Sequence, residues 1–191
     1  MSVSFEALPG RFVDLRPLAT DDAAVTLAWR MGDRARLLNS GAGDVAQQAA
    51  WIAARPESER NYMIVLKDGT SVGMLSLIGI NRTNRNAEPS RFLIGEEALV
   101  RGIPAAVEAM SLLYRLAFDD LNLARLYGTV AGGNAKMLKW QKYLGMREEG
   151  RMRRHLWLDG EWHDAIIVGL LESEYRTVTL PRMQLLLGMG A

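Results

Sequence analysis

The 191-residue chain is 49% hydrophobic and 24% charged, the balance of a soluble folded protein rather than a disordered one. It has no cysteine, which excludes disulfides, thiolate nucleophiles and cysteine-ligated zinc together. Lys plus Arg is 23 against 22 for Asp plus Glu, so no global field draws the chain to nucleic acid or an anionic membrane, and any basic patch is local.

The first residues, MSVSFEALPGRF, lack the basic and apolar regions of a signal peptide, and no apolar run is long enough to cross a bilayer. A cytoplasmic protein of one domain is the expectation. RFVDLRPL alternates as a strand does, and TDDAAVTLAWRM follows as a helix that Thr20 could cap. A second helix is expected around Val45 to Ala54, after NSGAGD. NYMIVLKDGTSVGMLSLIGI holds two β-rich runs about Asp68-Gly69, a hairpin signal. The stretch IGINRTNRNAEPSRF reads as a long loop, and SRFLIGEEAL as another strand.

From Ala106, the residues Val107, Met110, Leu113, Tyr114, Ala117, Phe118 and Leu121 follow helical spacing, with Glu108, Arg115 and Asp119 off that face. ARLYGTV is then a strand, and GGNAKMLKWQKYLGM a helix that ends near Gly145. RRHLWLDGEWHDAIIVGLL is a hairpin turning at Asp159-Gly160. The apolar tail, residues 177–191, is either a docking helix or a disordered end, beyond a single domain of residues 1–176. The elements run strand, two helices, three strands, helix, strand, helix, two strands. The fold class is α/β, with antiparallel hairpins at both ends.

The stretch LVRGIPAAVEAM, residues 99–110, can be read in two ways. Gly102 permits a tight turn, and the helix that follows presents unpaired N–H groups and the positive end of its dipole, which suits an anion. Arg101 could add a charge-assisted contact. The alternative is a capped helix with a solvated arginine.

FLIGEEAL, RGIPAA, the long amphipathic helix, RLYGTV, GNAKMLKWQKYLGM and the final hairpin, in this order, resemble the GNAT superfamily of acetyl-CoA-dependent N-acyltransferases. The likeness spans about residues 10–176 and is nearest the branch of ribosomal-protein N-terminal and nucleotide-linked amino-sugar acetyltransferases. It implies a mixed, mostly antiparallel central sheet of about seven strands flanked by about four helices. It also implies that Arg101, Gly102, Ile103, Ala105 and Ala106 bind the acetyl-CoA pyrophosphate, with Pro104 in place of a family glycine. Asn134 would contact the pantetheine arm, or serve only as a helix cap. Met137 and Gln141 would share its stripe, and Gln141 holds the position of the family's tyrosine acid. Tyr143, two residues on and about 200° round the helix, would be a core residue.

Acyl transfer to an amine needs a group to take the ammonium proton. Glu88, Glu96 and Glu97 lie on or near the strand beside the cofactor, and strand alternation would let only one of Glu96 and Glu97 enter the site. Glu88 and Glu97 are therefore the candidates for this role, and Gln141 joins the catalytic candidates as a group that can orient a thioester or a water but cannot donate a proton. Histidine is a common acid–base residue, but His155 and His163 have no third partner in sequence, and two isolated histidines make no metal site. In RMRRH, Arg151 and Arg153 would share a strand face and grip a phosphate or carboxylate of the acceptor, with Arg154 opposite; a solvated sheet edge is the alternative. The five tryptophans are expected in the core or a pocket wall.

The expected activity is acetyl-CoA-dependent N-acetylation of a primary amine, with acetyl-CoA as co-substrate and no metal. A nucleotide-linked amino sugar is placed slightly ahead of a peptide N-terminus, a polyamine or an aminoglycoside. A non-catalytic CoA-binding module is the rival reading. Neither nucleic acid nor membrane is expected as a partner, and a homodimer is left open.

Overall fold

A computed structural model describes residues 6–38, 41–158 and 160–189. The chain enters through a short strand, β1 (Leu8–Pro9), antiparallel to β2 (Val13–Pro17). Asp22 then closes a turn at Thr20–Asp22: it accepts the Ala19 N–H at 2.8 Å and holds the Arg16 guanidinium at 2.8 and 3.0 Å. Ala19 occupies the position that precedes this turn, so Thr20 is not the cap. Helix α1 (Ala23–Met31) follows, and then α2 (Val45–Ala53), whose Asp44 accepts the Gln47 N–H at 2.8 Å.

Strands β3 (Arg60–Leu66) and β4 (Ser71–Asn81) form the expected hairpin, with Gly69 at φ +89°. The expected long loop after them does not exist. β4 turns back within residues 82–85 into β5 (Asn86–Ile94), Arg85 taking φ +51°.

Helix α3 (Ala105–Arg115), extended by a wider turn at Leu116–Asp120, carries the chain across the sheet to β6 (Arg125–Ala131), which runs parallel to β5. Then come α4 (Ala135–Tyr143), β7 (Arg147–Leu158) and β8 (Glu161–Leu171). Asp159, expected at the hairpin turn, lies outside the described residues, while Gly160 has φ +78°. The resulting eight-stranded sheet has the order β1-β2-β3-β4-β5-β6-β8-β7 and is antiparallel except at β5 and β6. The expected seven strands lacked only β1.

β3 is buried on both faces, and its alternation sorts the core. Tyr62 and Ile64 pack with the α3 side, whereas Met63 and Val65 pack with Trp29 of α1. On α3, one residue departs from the expected polar face: Glu108 is 4% exposed and accepts the backbone N–H groups of Arg11, Phe12 and Val13 at 2.8, 2.6 and 2.7 Å. Its carboxylate replaces the partners that β2 lacks where it begins. The last segment passes through α5 (Glu172–Glu174) and a wide turn to α6 (Leu180–Leu186). Met183 is fully buried in the main core, and the Thr179 hydroxyl donates to the Leu144 carbonyl at 2.7 Å. Of the two readings of the tail, the docking helix is the one observed.

Candidate active site

Parallel neighbours of this length would ordinarily pair throughout, but β5 and β6 meet only at Asn86↔Arg125 and Ala87↔Leu126. Beyond these residues the strands diverge. Backbone groups facing the gap lose ladder partners, which makes the split a place where an extended ligand could hydrogen-bond as a strand would. Glu88 sits at its start, half-buried, and accepts the Thr129 N–H across the gap. Burial pushes the Glu88 carboxyl up, against the opposing pull of Arg91 and of the Thr129 contact.

A bulge shapes the β5 side. Met74 faces Leu93 but Ser76 faces Ser90, so β5 carries one extra residue here, and Arg91 takes φ +54°, rare for a residue other than glycine. The bulge sends neighbouring side chains to different places. Arg91 lies in one cavity, bound to Glu59 at 2.8 and 3.3 Å and to Asn61 at 2.9 Å; Phe92 lines another.

The first cavity, of about 600 Å³, lies against α1, α2 and the split, with Arg30, Trp51, Glu88, Arg91 and Thr129 in its wall. The second, of about 680 Å³, is an apolar groove between the end of β5 and α4, walled by Phe92, Ile94, Met137, Trp140 and Tyr143. Leu38 lines both, so the cavities adjoin. Lys136 and Lys139 stand on the groove wall with Asn134, which also caps α4 by accepting the Met137 N–H at 3.1 Å. Within the groove wall the Trp140 indole N–H is buried without a hydrogen-bond partner.

The structure redistributes several expected site residues. Glu88 lines the first cavity, and Ala106, Asn134 and Met137 line the groove, while Ala105 is buried in the core and Arg101, Gly102 and Ile103 form the turn that enters α3, with Gly102 at φ +76°. Pro104 is the N-cap of α3 rather than part of its first turn. Glu96 and Glu97 lie past the end of β5, so strand alternation does not govern them: Glu96 accepts the Trp29 indole N–H at 2.8 Å, and Glu97 lines the groove paired with Arg34. Gln141 is 9% exposed and lines neither cavity, whereas Tyr143 is 46% exposed and lines the groove, the reverse of the helix-face expectation.

The arginine hairpin is also corrected. Arg151 and Arg153 are exposed and line neither cavity, and Arg151 pairs with Asp164 at 3.3 Å. The register of β7 against β8 shifts between Met152 and Leu156, with Arg154 at φ +48°, so simple alternation fails there. Trp157 and Trp162, expected in a core or pocket wall, are 60% and 50% exposed and pack edge-to-face at 5.2 Å. His163 rests near the Leu158 carbonyl at 3.2 Å, and His155 is exposed. Trp51 stands in a pocket wall, as expected of the tryptophans, whereas Arg30 and Arg91 carry no signal in the sequence. A bulge without a glycine leaves no mark in the residue pattern, and the α1–α2 wall is assembled from positions far apart in the chain. Among the described residues no group of three or more metal-ligating side chains is found, and no helix is long and apolar enough to cross a membrane.

Comparison with known proteins adds a family. The acetyltransferase (GNAT) domain family matches residues 13–147. A Bacillus subtilis protein named ribosomal N-acetyltransferase is 35% identical over 111 residues, which cover 58% of this chain and 59% of that protein. A spermidine N(1)-acetyltransferase of Escherichia coli is 29% identical over 119 residues, 62% of each. The chain thus spans about three fifths of the length of these curated relatives. The crystal structure of spermidine N-acetyltransferase from Vibrio cholerae in complex with CoA and spermine shares the fold, with a TM-score of 0.76 and 21% identity over 86% of this chain and 98% of that one.

Proposed function

The chain belongs to the acetyltransferase (GNAT) domain family, and on that premise we propose that it transfers the acetyl group of acetyl-CoA to a primary amine. The observation that carries this reading is the split between β5 and β6, with a cavity on either side and Glu88 at its start. The groove fits the acetyl-pantetheine arm: its wall is largely apolar, and Lys136 and Lys139 bring positive charge. The N-terminus of α3, behind Arg101 and Gly102, is the natural receiver of the pyrophosphate, where the amides of Ala105 and Ala106 add to a favourable dipole.

When bound, acetyl-CoA supplies an acyl carbon joined to a good leaving group. The acceptor amine enters the first cavity as an ammonium, and Glu88 takes its proton, directly or through water, so that a nitrogen lone pair becomes available. A C–N bond forms as the C–S bond breaks, the electron pair leaves on sulfur, and the second proton that the nitrogen sheds passes to that sulfur through solvent, so that free thiol is released. Glu88 suits this role because burial raises its proton affinity toward the working pH. Glu97, held by Arg34 at the groove, belongs to the cofactor side and not to proton transfer.

The relatives, one named as a ribosomal N-acetyltransferase and the other as a spermidine N(1)-acetyltransferase, support an amine acceptor. The nucleotide-linked amino sugar loses both of its sequence supports, since the long loop is a tight hairpin and Arg151 and Arg153 lie outside the cavities. Thiol release from acetyl-CoA in the presence of varied primary amines tests the proposal. Release is expected with at least one amine class and is expected to collapse in Glu88→Gln; the proposal fails if no amine releases thiol.

A further inference from the structure

Among the described residues in the groove wall, the charged side chains are Arg34, Lys136, Lys139 and one carboxylate, Glu97. Arg34 stands on the short helical turn Asp33–Ala35 after α1, in the segment that also gives Leu37 and Leu38 to the first cavity, and its guanidinium pairs with Glu97. Neighbouring contacts fix the Glu97 end of this pair. Gly95 and Glu96 both donate their N–H groups to the Val72 carbonyl, at 2.9 and 3.1 Å, and Glu96 holds the Trp29 indole N–H. The Trp29 ring covers Gly95 so closely that a Cβ there would fall 2.3 Å from it. From Glu97 the chain advances in two turns to the start of α3: the Val100 N–H donates to the Glu97 carbonyl at 3.3 Å, and the Ile103 N–H to the Val100 carbonyl at 3.1 Å. Val100 and Ala106 line the groove together with Arg34. A segment far from RGIPAA in sequence thus brings a guanidinium to the α3 end of the groove.

We propose that Arg34 is a ligand of the acetyl-CoA pyrophosphate, held by Glu97 in the free protein and passed to the phosphate when the donor binds. The inference rests on the reading of the groove as the acetyl-CoA site. A pyrophosphate at the first amides of α3 places an anion near the Glu97 carboxylate, and both anions compete for the same cation. The phosphate is favoured, because its charge is larger and its oxygens match the planar fork of a guanidinium. Arg34 is the only arginine in the groove wall among the described residues. Its pair with Glu97 is easily given up, since the two side chains are 43% and 58% exposed and water screens their charges. Such a pair adds little to the fold. It does keep the cation beside the place where the phosphate arrives, so less side-chain freedom is lost on binding.

Three donors are compared by thiol release, with whichever amine the chain turns over best: acetyl-CoA, acetyl-dephospho-CoA, which lacks the 3′-phosphate, and acetyl-pantetheine, which lacks every phosphate. Arg34→Gln should raise the KM of acetyl-CoA and of acetyl-dephospho-CoA about ten-fold and change that of acetyl-pantetheine by less than about two-fold. Arg34→Lys should fall between, since an ammonium keeps the charge and loses the fork. Glu97→Gln should act in the opposite direction and lower the KM of acetyl-CoA, because the competing carboxylate is gone. A pair that only tied two segments together would be broken equally by either variant, so KM changes of the same sign in Arg34→Gln and Glu97→Gln overturn the inference. A loss in Arg34→Gln that persists with acetyl-pantetheine, or one that disappears with acetyl-dephospho-CoA, also overturns it. Circular dichroism and thermal melting check folding, and both variants should melt with the wild type. The Kd of CoA, measured by calorimetry, repeats the comparison of signs without turnover. If CoA binds with these opposite shifts but no amine releases thiol, the acetyl-transfer reading fails and the assignment of Arg34 stands. If thiol is released but the Kd of CoA is indifferent to Arg34, the reading stands and the assignment fails.

Discussion

Two carboxylates withdrawn from solvent, Glu88 on β5 and Glu108 on α3, are used in opposite ways. Glu88 is half-buried beside a gap, and burial lifts its proton affinity, so the protonated, inactive form persists to higher pH than for an ordinary glutamate. kcat/KM should therefore fall as pH drops through a midpoint above the usual carboxylate value, and Glu88→Gln should lose on the order of a hundredfold in rate together with this acidic limb. The sign for stability is the reverse of that of a salt-bridged acid. A folded-state pKa that is raised means the charge destabilises the fold above the unfolded value, so the melting temperature of Glu88→Gln should hold or rise while activity is lost. Glu108, in contrast, is a structural acceptor for three consecutive N–H groups. Glu108→Ala would leave these donors without partners inside the protein and should cost about 3 kcal/mol or more, measured by chemical denaturation.

The decisive elements are those whose partners are incomplete. α3 starts after a left-handed Gly102 with Pro104 at its cap, so its first amides are unspent by the helix and face the turn that Arg101 begins. Acetyl-CoA should raise the melting temperature by binding only the folded state, and Arg101→Glu should shrink that rise while leaving the melting point of the free protein near that of wild type. Equal rises in both proteins would remove the pyrophosphate from this helix start. β5 shows a second kind of incompleteness: its bulge turns Arg91 to the acceptor side and its neighbour Phe92 to the groove, so a single strand serves both cavities. The edge strand β7 carries its own irregularity, which leaves the arginines of RMRRH in solvent and Asp164 to meet them.

At the scale of the molecule, the tail is part of the core and not an appendage. Met183 is wholly buried with Tyr114 and Tyr175, and the Phe118 and Tyr175 rings stack at 4.6 Å beneath the same helical segment. Thr179 ties this segment to the end of α4 through the Leu144 carbonyl, next to a Gly145 at φ +102° that leaves no room for a side chain against the Thr179 hydroxyl. Met183→Ala should destabilise the fold by about 2–5 kcal/mol, and deletion of residues 177–191 should lower the melting temperature further still. A truncated chain that melts with the wild type would show that the tail is dispensable to the core. Because α4 also walls the groove, loss of the tail should weaken acetyl-CoA binding as well.

The sequence by itself determined the order of the elements, the α/β class and the family likeness. These follow from local signals: period-two alternation in the strands, period-3.6 spacing in α3, Asp-Gly turns and the asparagine before α4. It also singled out Asn134, Met137 and Ala106, which the family likeness places along single elements, and Glu88 as a carboxylate near the strand beside the expected cofactor; all four line a cavity. Tertiary structure alone decided the rest. Glu108 read as a surface acid because periodicity records position on a helix and not the unpaired amides that β2 brings against it. Gln141 and Tyr143 exchanged places because the orientation of α4 on the sheet is set by what packs beneath it. Arg30, Trp51 and Arg91 come from α1, α2 and a bulged strand, and meet only because the sheet splits between β5 and β6. The chemistry of an acceptor depends on the sum of charges in one space, and that sum is fixed by contacts between residues far apart in the chain.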